Sequence, residues 1–241
     1  MKQLNWATLG CGVIANELAQ ALSKEGRTLY SVANRTYEKA QVFAQKYGIS
    51  KVYDNIDDVF YDPDVDIIYI STPHNTHINY LRKALSNGKH VLCEKSITLN
   101  ISELDEAISL SKANNVILAE AMTIYHMPVY KKLNEIISSG QLGRLNLIQV
   151  NFGSYKDYNM TNRFFSRKLA GGALLDIGVY SLSLIRWFFK ETPSHVLSQV
   201  RYAPTGVDSR PPEYAAYASI SLSLKPFALI TLLTSATLKG L

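Results

Sequence analysis

The sequence predicts an α/β fold: a doubly wound parallel sheet followed by an α+β domain whose sheet is open and antiparallel. Three observations predict it. Residues 6–15 read Trp-Ala-Thr-Leu-Gly-Cys-Gly-Val-Ile-Ala, an apolar run that ends in Gly-x-Gly-x-x-Ala and continues as an amphipathic stretch through Leu22. Strand-like and helix-like segments then alternate over the first half, with connections too long for hairpins. Beyond residue 139 the alternation gives way to runs with a period of two, the pattern of antiparallel strands with one buried face.

Taken in order, the pattern predicts a strand over 5–9, a helix over Val13–Lys24, a strand over 28–33, a helix over Tyr37–Tyr47 and a short strand over 51–53. An apolar strand follows over 66–71, then a helix over 75–86 that stops at Asn87-Gly88, and a strand over His90–Cys93. A helix over Ile101–Ala113 and a strand over 116–121 complete the series, and a helix over 128–139 begins the second half. Strand 145–155, an apolar helix over 174–189 and long strands after Pro193 make up the rest. The domains are therefore expected at 1–124 and 125–241, with the boundary between residues 122 and 128.

At 241 residues the chain can bury roughly 70–75% of its unfolded surface, enough for one large domain or two modest ones. With 19% charged and 47% hydrophobic residues and no low-complexity tract, the composition is that of a folded globular protein. The net charge of +5 is spread without a Lys/Arg run, so it favours anionic small molecules and argues against nucleic acid. Cys11 and Cys93 have neither metal-ligand nor disulfide-framework spacing and read as buried thiols of a reducing compartment. Met1-Lys2-Gln3 leads almost directly into the first strand with no room for a signal peptide, which makes the cytoplasm the expected location. The apolar segment 214–238 alternates Ser219, Ser221 and Ser223 with Ile220, Leu222 and Leu224 and is broken at Lys225-Pro226, so it reads as a β-hairpin rather than a membrane span.

The glycine turn places backbone N–H groups where a pyrophosphate binds, with Gly10, Gly12, Val13 and Ile14 as the contacting residues. The next strand closes with Asn34-Arg35-Thr36, where a dinucleotide fold reads the adenosine ribose. An acidic residue there suits NAD, whereas an arginine suits a 2′-phosphate. Arg35 thus points to NADP(H), with NAD(H) as the other candidate; its bland alternative is an exposed surface arginine. Ser71-Thr72-Pro73 ends the 66–71 strand at the carboxyl edge of the sheet, where open α/β folds bind ligands.

Four motifs in order resemble the Gfo/Idh/MocA-type oxidoreductases: Gly10-Cys11-Gly12-Val13-Ile14-Ala15, Ser71-Thr72-Pro73-His74-Asn75-Thr76-His77, Cys93-Glu94-Lys95-Ser96, and the run from Ala170 to Tyr180 that contains Gly171-Gly172 and Asp176-Ile177-Gly178. The resemblance is strongest to the branch of dimeric dihydrodiol dehydrogenases, NADP-dependent xylose dehydrogenases and glucose-fructose oxidoreductase, where a tyrosine stands in place of the histidine of inositol dehydrogenases. It implies a Rossmann domain, an open sheet that binds a sugar or diol and often pairs two subunits, and a lysine, here Lys95, beside the nicotinamide. It also implies Thr72, Pro73 and His77 along the cofactor, Glu94 on the nicotinamide ribose, and Arg163 approaching the cofactor. Ser96 departs from the family's usual proline.

Oxidising an alcohol requires a group that takes the hydroxyl proton as hydride leaves. Tyr180 is the candidate, because a phenol acts as a base when a nearby cation lowers its pKa from about 10. Lys95 is that cation. The alternative for Tyr180 is an interfacial tyrosine at the end of an apolar helix. Asp176, four residues before Tyr180, either serves substrate hydroxyls and the proton relay or caps the helix. Glu94 is equally readable as the ion partner of Lys95, Arg163 as a solvated charge, and His74 as a turn residue. No histidine has a partner at metal spacing. Because family members continue well past residue 241, the second sheet is expected to be incomplete or to have its gap covered by a partner subunit, and a binder of NADP(H) without turnover stands as the alternative to an enzyme.

Overall fold

Strand β1 (Trp6–Leu9) is buried on both faces, as the centre of a parallel sheet requires, and it feeds directly into α1 (Val13–Lys24). The computed structural model describes residues 3–154, 156–193, 195–208, 216–223 and 229–233. Helix α1 buries Ala15, Ala19 and Leu22, spaced by four and three along one face, and ends before Gly26 in the left-handed region. Then come β2 (Ser31–Ala33), α2 (Tyr37–Tyr47), β3 (Lys51–Val52), α3 (Asp58–Tyr61), β4 (Ile67–Ile70), α4 (His77–Ser86), β5 (His90–Cys93), α5 (Ile101–Ala113) and β6 (Leu118–Glu120). The six strands are parallel in the order β3-β2-β1-β4-β5-β6, so the winding reverses between β1 and β4. That reversal opens the crevice in which such sheets take ligands.

Phe60, Leu9, Ile68, Ile70, Leu81 and Leu85 are wholly buried in this unit, and each contributes roughly 1.5–3 kcal/mol by leaving water. Helix α5 starts from a reciprocal cap: Asn100 accepts from Glu103 N–H at 3.0 Å, and the Glu103 carboxylate accepts from Leu99 N–H at 3.0 Å. At the far sheet edge, Lys51 Nζ lies 2.6 Å from the buried Asp62 carboxylate, to which the Tyr53 hydroxyl also donates. Burial pushes the Asp62 carboxyl up, but Lys51, Tyr53 and the Asp64 N–H together hold it below the usual aspartate value.

The chain divides into two compact units, 1–121 and 122–241. In the second, α6 (Pro128–Ser138) has Pro128 at its first turn, where a missing N–H costs nothing. A four-stranded sheet follows in the order β7-β9-β10-β8, built of β7 (Leu147–Ser154), β8 (His195–Gln199), β9 (Ala216–Ser223) and β10 (Leu229–Leu233). β7/β9 and β9/β10 pair antiparallel, while β8 joins β10 in parallel. The predicted break at Lys225-Pro226 lies outside the described residues, and of the predicted hairpin 214–238 the described parts are Ala216–Ser223 and Leu229–Leu233.

The expected helix over 174–189 opens as a π turn, Leu174–Gly178, and continues as α7 (Val179–Phe189), whose Ile185 and Phe189 pack on Ile148 and Val150 of β7. The segment Arg167–Phe189 is long and apolar enough by composition to span a bilayer. Its backbone is interrupted at Ala170 and Gly172, both at positive φ, leaving a continuous helix of about 24 Å at 1.5 Å per residue against a hydrocarbon core of about 30 Å.

Candidate dinucleotide cradle and proton-transfer helix

Gly10 closes β1 at φ +104°, donates its N–H to the Ala33 carbonyl at 2.8 Å, and lies so close to the β4 edge that a Cβ would stand 2.8 Å from Ser71 Oγ and 3.1 Å from Ser71 O. Glycine is required there by the fold itself. Gly12 differs: a Cβ on it would meet nothing within 4 Å, so its missing side chain leaves open space at the head of α1. Among the described residues no side chain caps α1, and no acidic residue occupies its first turn. Val13 is 75% and Ile14 42% exposed at that helix start. An open approach to uncapped N–H groups at the positive end of a helix dipole fits a pyrophosphate.

At the β2 edge, Asn34 donates from its side-chain amide to Thr36 O at 2.8 Å and shapes the turn into α2. Arg35 is exposed beside it. At the β4 edge, Ser71 Oγ donates to Leu9 O at 3.2 Å, tying the two central strands together below Gly10. Thr72 is partly buried with its Oγ1 2.8 Å from Thr76 Oγ1, and Pro73 is exposed ahead of the short helical turn His74–Thr76.

His77 corrects an expectation. Its ring is 0% exposed and spans two loops, Nδ1 lying 2.9 Å from Ser96 O and Nε2 2.8 Å from Thr72 O. Burial holds its pKa below the ordinary histidine value despite those carbonyls. A ring closed in this way does not touch a cofactor; it fixes the Thr72 loop to the loop that carries Lys95. That second loop is also held from β6, where Glu120 accepts from Ile97 N–H at 2.9 Å, and the Lys95–Ser96 peptide is cis. Glu94 accepts from the Tyr69 hydroxyl at 2.5 Å, and burial raises its pKa while Tyr69 and the charge of Lys95 oppose the rise. Tyr69 and Glu120 escaped the sequence reading, since a buried tyrosine in an apolar strand and a carboxylate at a strand end carry no local signature.

The glycine pair of the second unit has equally physical causes. A Cβ on Gly171 would stand 2.5 Å from Phe164 O and 2.6 Å from Arg163 O, so the loop backbone passes directly against the motif. Arg163 is exposed, with its guanidinium carbon 4.2 Å from the Phe164 ring centroid. Gly172, at φ +117°, faces the Asp208 carboxylate. Asp176 sits inside the π turn, in the first turn of the helix, with its N–H donated to Gly172 O at 3.3 Å. Tyr180 follows on α7 and meets the Phe152 ring edge-on at a centroid distance of 5.7 Å. Among the described residues no group of three His, Cys, Asp or Glu could hold a metal ion.

A glycine-turned strand and helix at the switch point of a parallel sheet, with an arginine after the second strand, define a dinucleotide-binding protein. The sequence model described as "Oxidoreductase family, NAD-binding Rossmann fold" matches residues 4–122, and that of the GFO/IDH/MocA C-terminal domain matches residues 130–240. The chain belongs to the Gfo/Idh/MocA oxidoreductase family. A trans-1,2-dihydrobenzene-1,2-diol dehydrogenase of Xenopus tropicalis is 33% identical over 207 residues, 84% of this chain and 62% of that protein. The chain thus spans about 62% of the length of that relative. Among solved structures, KijD10, a 3-ketoreductase from Actinomadura kijaniata in complex with NADP and TDP-benzene, shares the fold at TM-score 0.80 and 22% identity, over 96% of this chain and 70% of that one. The aldose-aldose oxidoreductase of Caulobacter crescentus matches at TM-score 0.77 and 25% identity, over 97% of this chain and 71% of that one.

Proposed function

We propose that the protein is an NADP(H)-dependent oxidoreductase that interconverts a secondary alcohol, in an aldose or a cyclic trans-diol, with the corresponding carbonyl or lactone. The observation that carries the reading is the uncapped start of α1 beneath the open space at Gly12, followed by Arg35 after β2 in place of the acidic residue of an NAD reader. Bound NADP(H) supplies the hydride acceptor or donor. Gly10, Gly12, Val13 and Ile14 hold the pyrophosphate, Arg35 the 2′-phosphate with Asn34 shaping its turn, and Ser71, Thr72 and Pro73 line the cofactor's path. Tyr180 takes the hydroxyl proton in oxidation and returns it in reduction, Lys95 favours its phenolate, and Asp176 orients the substrate hydroxyls. Glu94, anchored by Tyr69, serves the nicotinamide ribose, and Arg163 borders the cofactor.

The dihydrodiol dehydrogenase relatives support the diol, and the aldose-aldose oxidoreductase neighbour supports the sugar. The free thiols Cys11 and Cys93 support a reducing, cytoplasmic setting, and we place the protein there as a homodimer. The test uses NADP⁺ with trans-1,2-dihydrobenzene-1,2-diol, D-xylose and D-glucose, following reduced cofactor by absorbance. Turnover that is lost in Tyr180→Phe while NADPH still binds supports the assignment. Binding of NADPH with no turnover of any alcohol overturns it in favour of a nucleotide binder. Arg35→Ala should weaken NADP(H) at least about tenfold more than NAD(H), the scale of one lost charged hydrogen bond, and an equal effect removes Arg35 from its role.

A further inference from the structure

Asp208 lies 34 residues beyond Leu174 in sequence, yet its Oδ2 accepts from the Leu174 N–H at 2.6 Å. Its main-chain oxygen accepts from the Ala173 N–H at 3.0 Å. Those two N–H groups open the helix that carries Asp176 and Tyr180, and Ala173, at the helix head, has no side-chain acceptor to offer them. Gly172 makes the room: a Cβ there would stand 2.0 Å from Asp208 Oδ1. Asp208 is itself held in a tight turn, bridged to Tyr202, with Ala203 N–H donated to Val207 O at 2.9 Å and Gly206 N–H to Ala203 O at 2.8 Å. Ala203 and Val207 bury against Phe165, so the turn is seated in its own small core.

We infer that Asp208 is a positioning residue for the proton-transfer helix: it caps the π turn from outside and fixes where Asp176 and Tyr180 stand. The inference rests on the role proposed for Tyr180. A π turn holds one more residue per turn than α geometry, and π turns persist where the surroundings hold them in place. Relaxation of Leu174–Gly178 to α geometry rotates Asp176 relative to Tyr180 by some tens of degrees, because α geometry turns roughly 100° per residue and the wider π turn less. Burial raises the Asp208 pKa against the opposing N–H groups of Leu174, Asp208 and Ala173, so those bonds offset the cost of burying the carboxylate.

Asp208→Asn keeps an acceptor for the Leu174 N–H; Asp208→Ala has none. Amide hydrogen exchange of the 241-residue chain should show exchange at residues 173–176 at least tenfold faster in the alanine variant, wild-type rates there in the asparagine variant, and unchanged rates in residues 3–121 of both. With NADP⁺ and trans-1,2-dihydrobenzene-1,2-diol, kcat of the alanine variant should fall about 100-fold, the scale of a misplaced reacting group, with the KM for NADP⁺ within twofold and rescue by asparagine. Tyr180→Phe should lose kcat without altering exchange. Unchanged exchange in the alanine variant overturns the inference, as does an equal kcat loss in both Asp208 variants. A wild-type chain that turns over none of the alcohols removes the proposed reaction alone, and the exchange result still decides whether Asp208 positions this helix. Should Asp208→Ala fail to fold, Asp208→Ser is read by the same exchange criterion.

Discussion

The imidazole of His77 lies 2.9 Å from the carbonyl oxygen of Ser96, across 19 residues, and its other nitrogen lies 2.8 Å from Thr72 O. The neutral ring donates its one N–H to one of these carbonyls, and replacing it with phenylalanine keeps the bulk and strands that carbonyl. His77→Phe should therefore cost about 1–3 kcal/mol in urea unfolding, the scale of one buried polar group left unpaired. NADPH affinity should drop with it, measured by fluorescence titration. Lost stability with affinity intact would show that the strut does not serve the cofactor.

The two glycines of the first turn should separate folding from binding. Gly10→Ala forces a Cβ onto Ser71 at a φ of +104° and should lower stability by about 1–3 kcal/mol or more. Gly12→Val meets no protein atom at its Cβ and should leave the melting temperature within about 2 °C while weakening NADPH at least tenfold. Calorimetry and titration read the pair, and unchanged affinity in Gly12→Val would remove the pyrophosphate from this place.

Gly171→Ala drives a Cβ to 2.5 Å from the Phe164 carbonyl oxygen, and backbone on both sides must move. We expect kcat to fall by about 10²-fold, since loop 163–165 and the start of the Asp176 helix share the displacement. The KM for NADP⁺ should be little changed. A wild-type kcat would show that the close approach is not needed for turnover.

The Asp62 carboxyl sits below its ordinary pKa of 3.8 in the folded chain. A depressed carboxyl contributes stability that is present above the unfolded pKa and lost as pH falls through the folded one. The chain should lose stability progressively below about pH 4. Asp62→Asn should be less stable at pH 7 and show a flatter acid limb in urea midpoints taken from pH 7 to pH 3. A parallel acid limb would assign the loss to other carboxylates.

Much of the first unit was legible because its signals are local. The period of α1 through Ala15, Ala19 and Leu22, the glycine turn, and the short helix stop at Asn87-Gly88 each act within a few residues. Helix α3 was missed because four residues, Asp58–Tyr61, show no period. The parallel pairing of β8 with β10 was not readable either, since alternation of side chains marks a buried face and not the direction of the neighbouring strand. At the candidate site, spacing alone singles out Gly10, Gly12 and Arg35 for the roles proposed for them. Asp208, Tyr69 and Glu120 act across 34, 25 and 23 residues, on partners that only the folded chain brings near.

Helix α1 opens without a side-chain cap at Gly12 or an acidic first turn, so a ligand bound there as proposed would stabilise the folded chain. An anion seated there binds the folded chain and not the unfolded one, adding about 2.7 kcal/mol when its concentration is 100 times its Kd. If the dinucleotide seats there as proposed, a shortage of it leaves a larger unfolded fraction open to proteolysis, and cofactor supply then sets how much of the polypeptide endures as well as how fast it works.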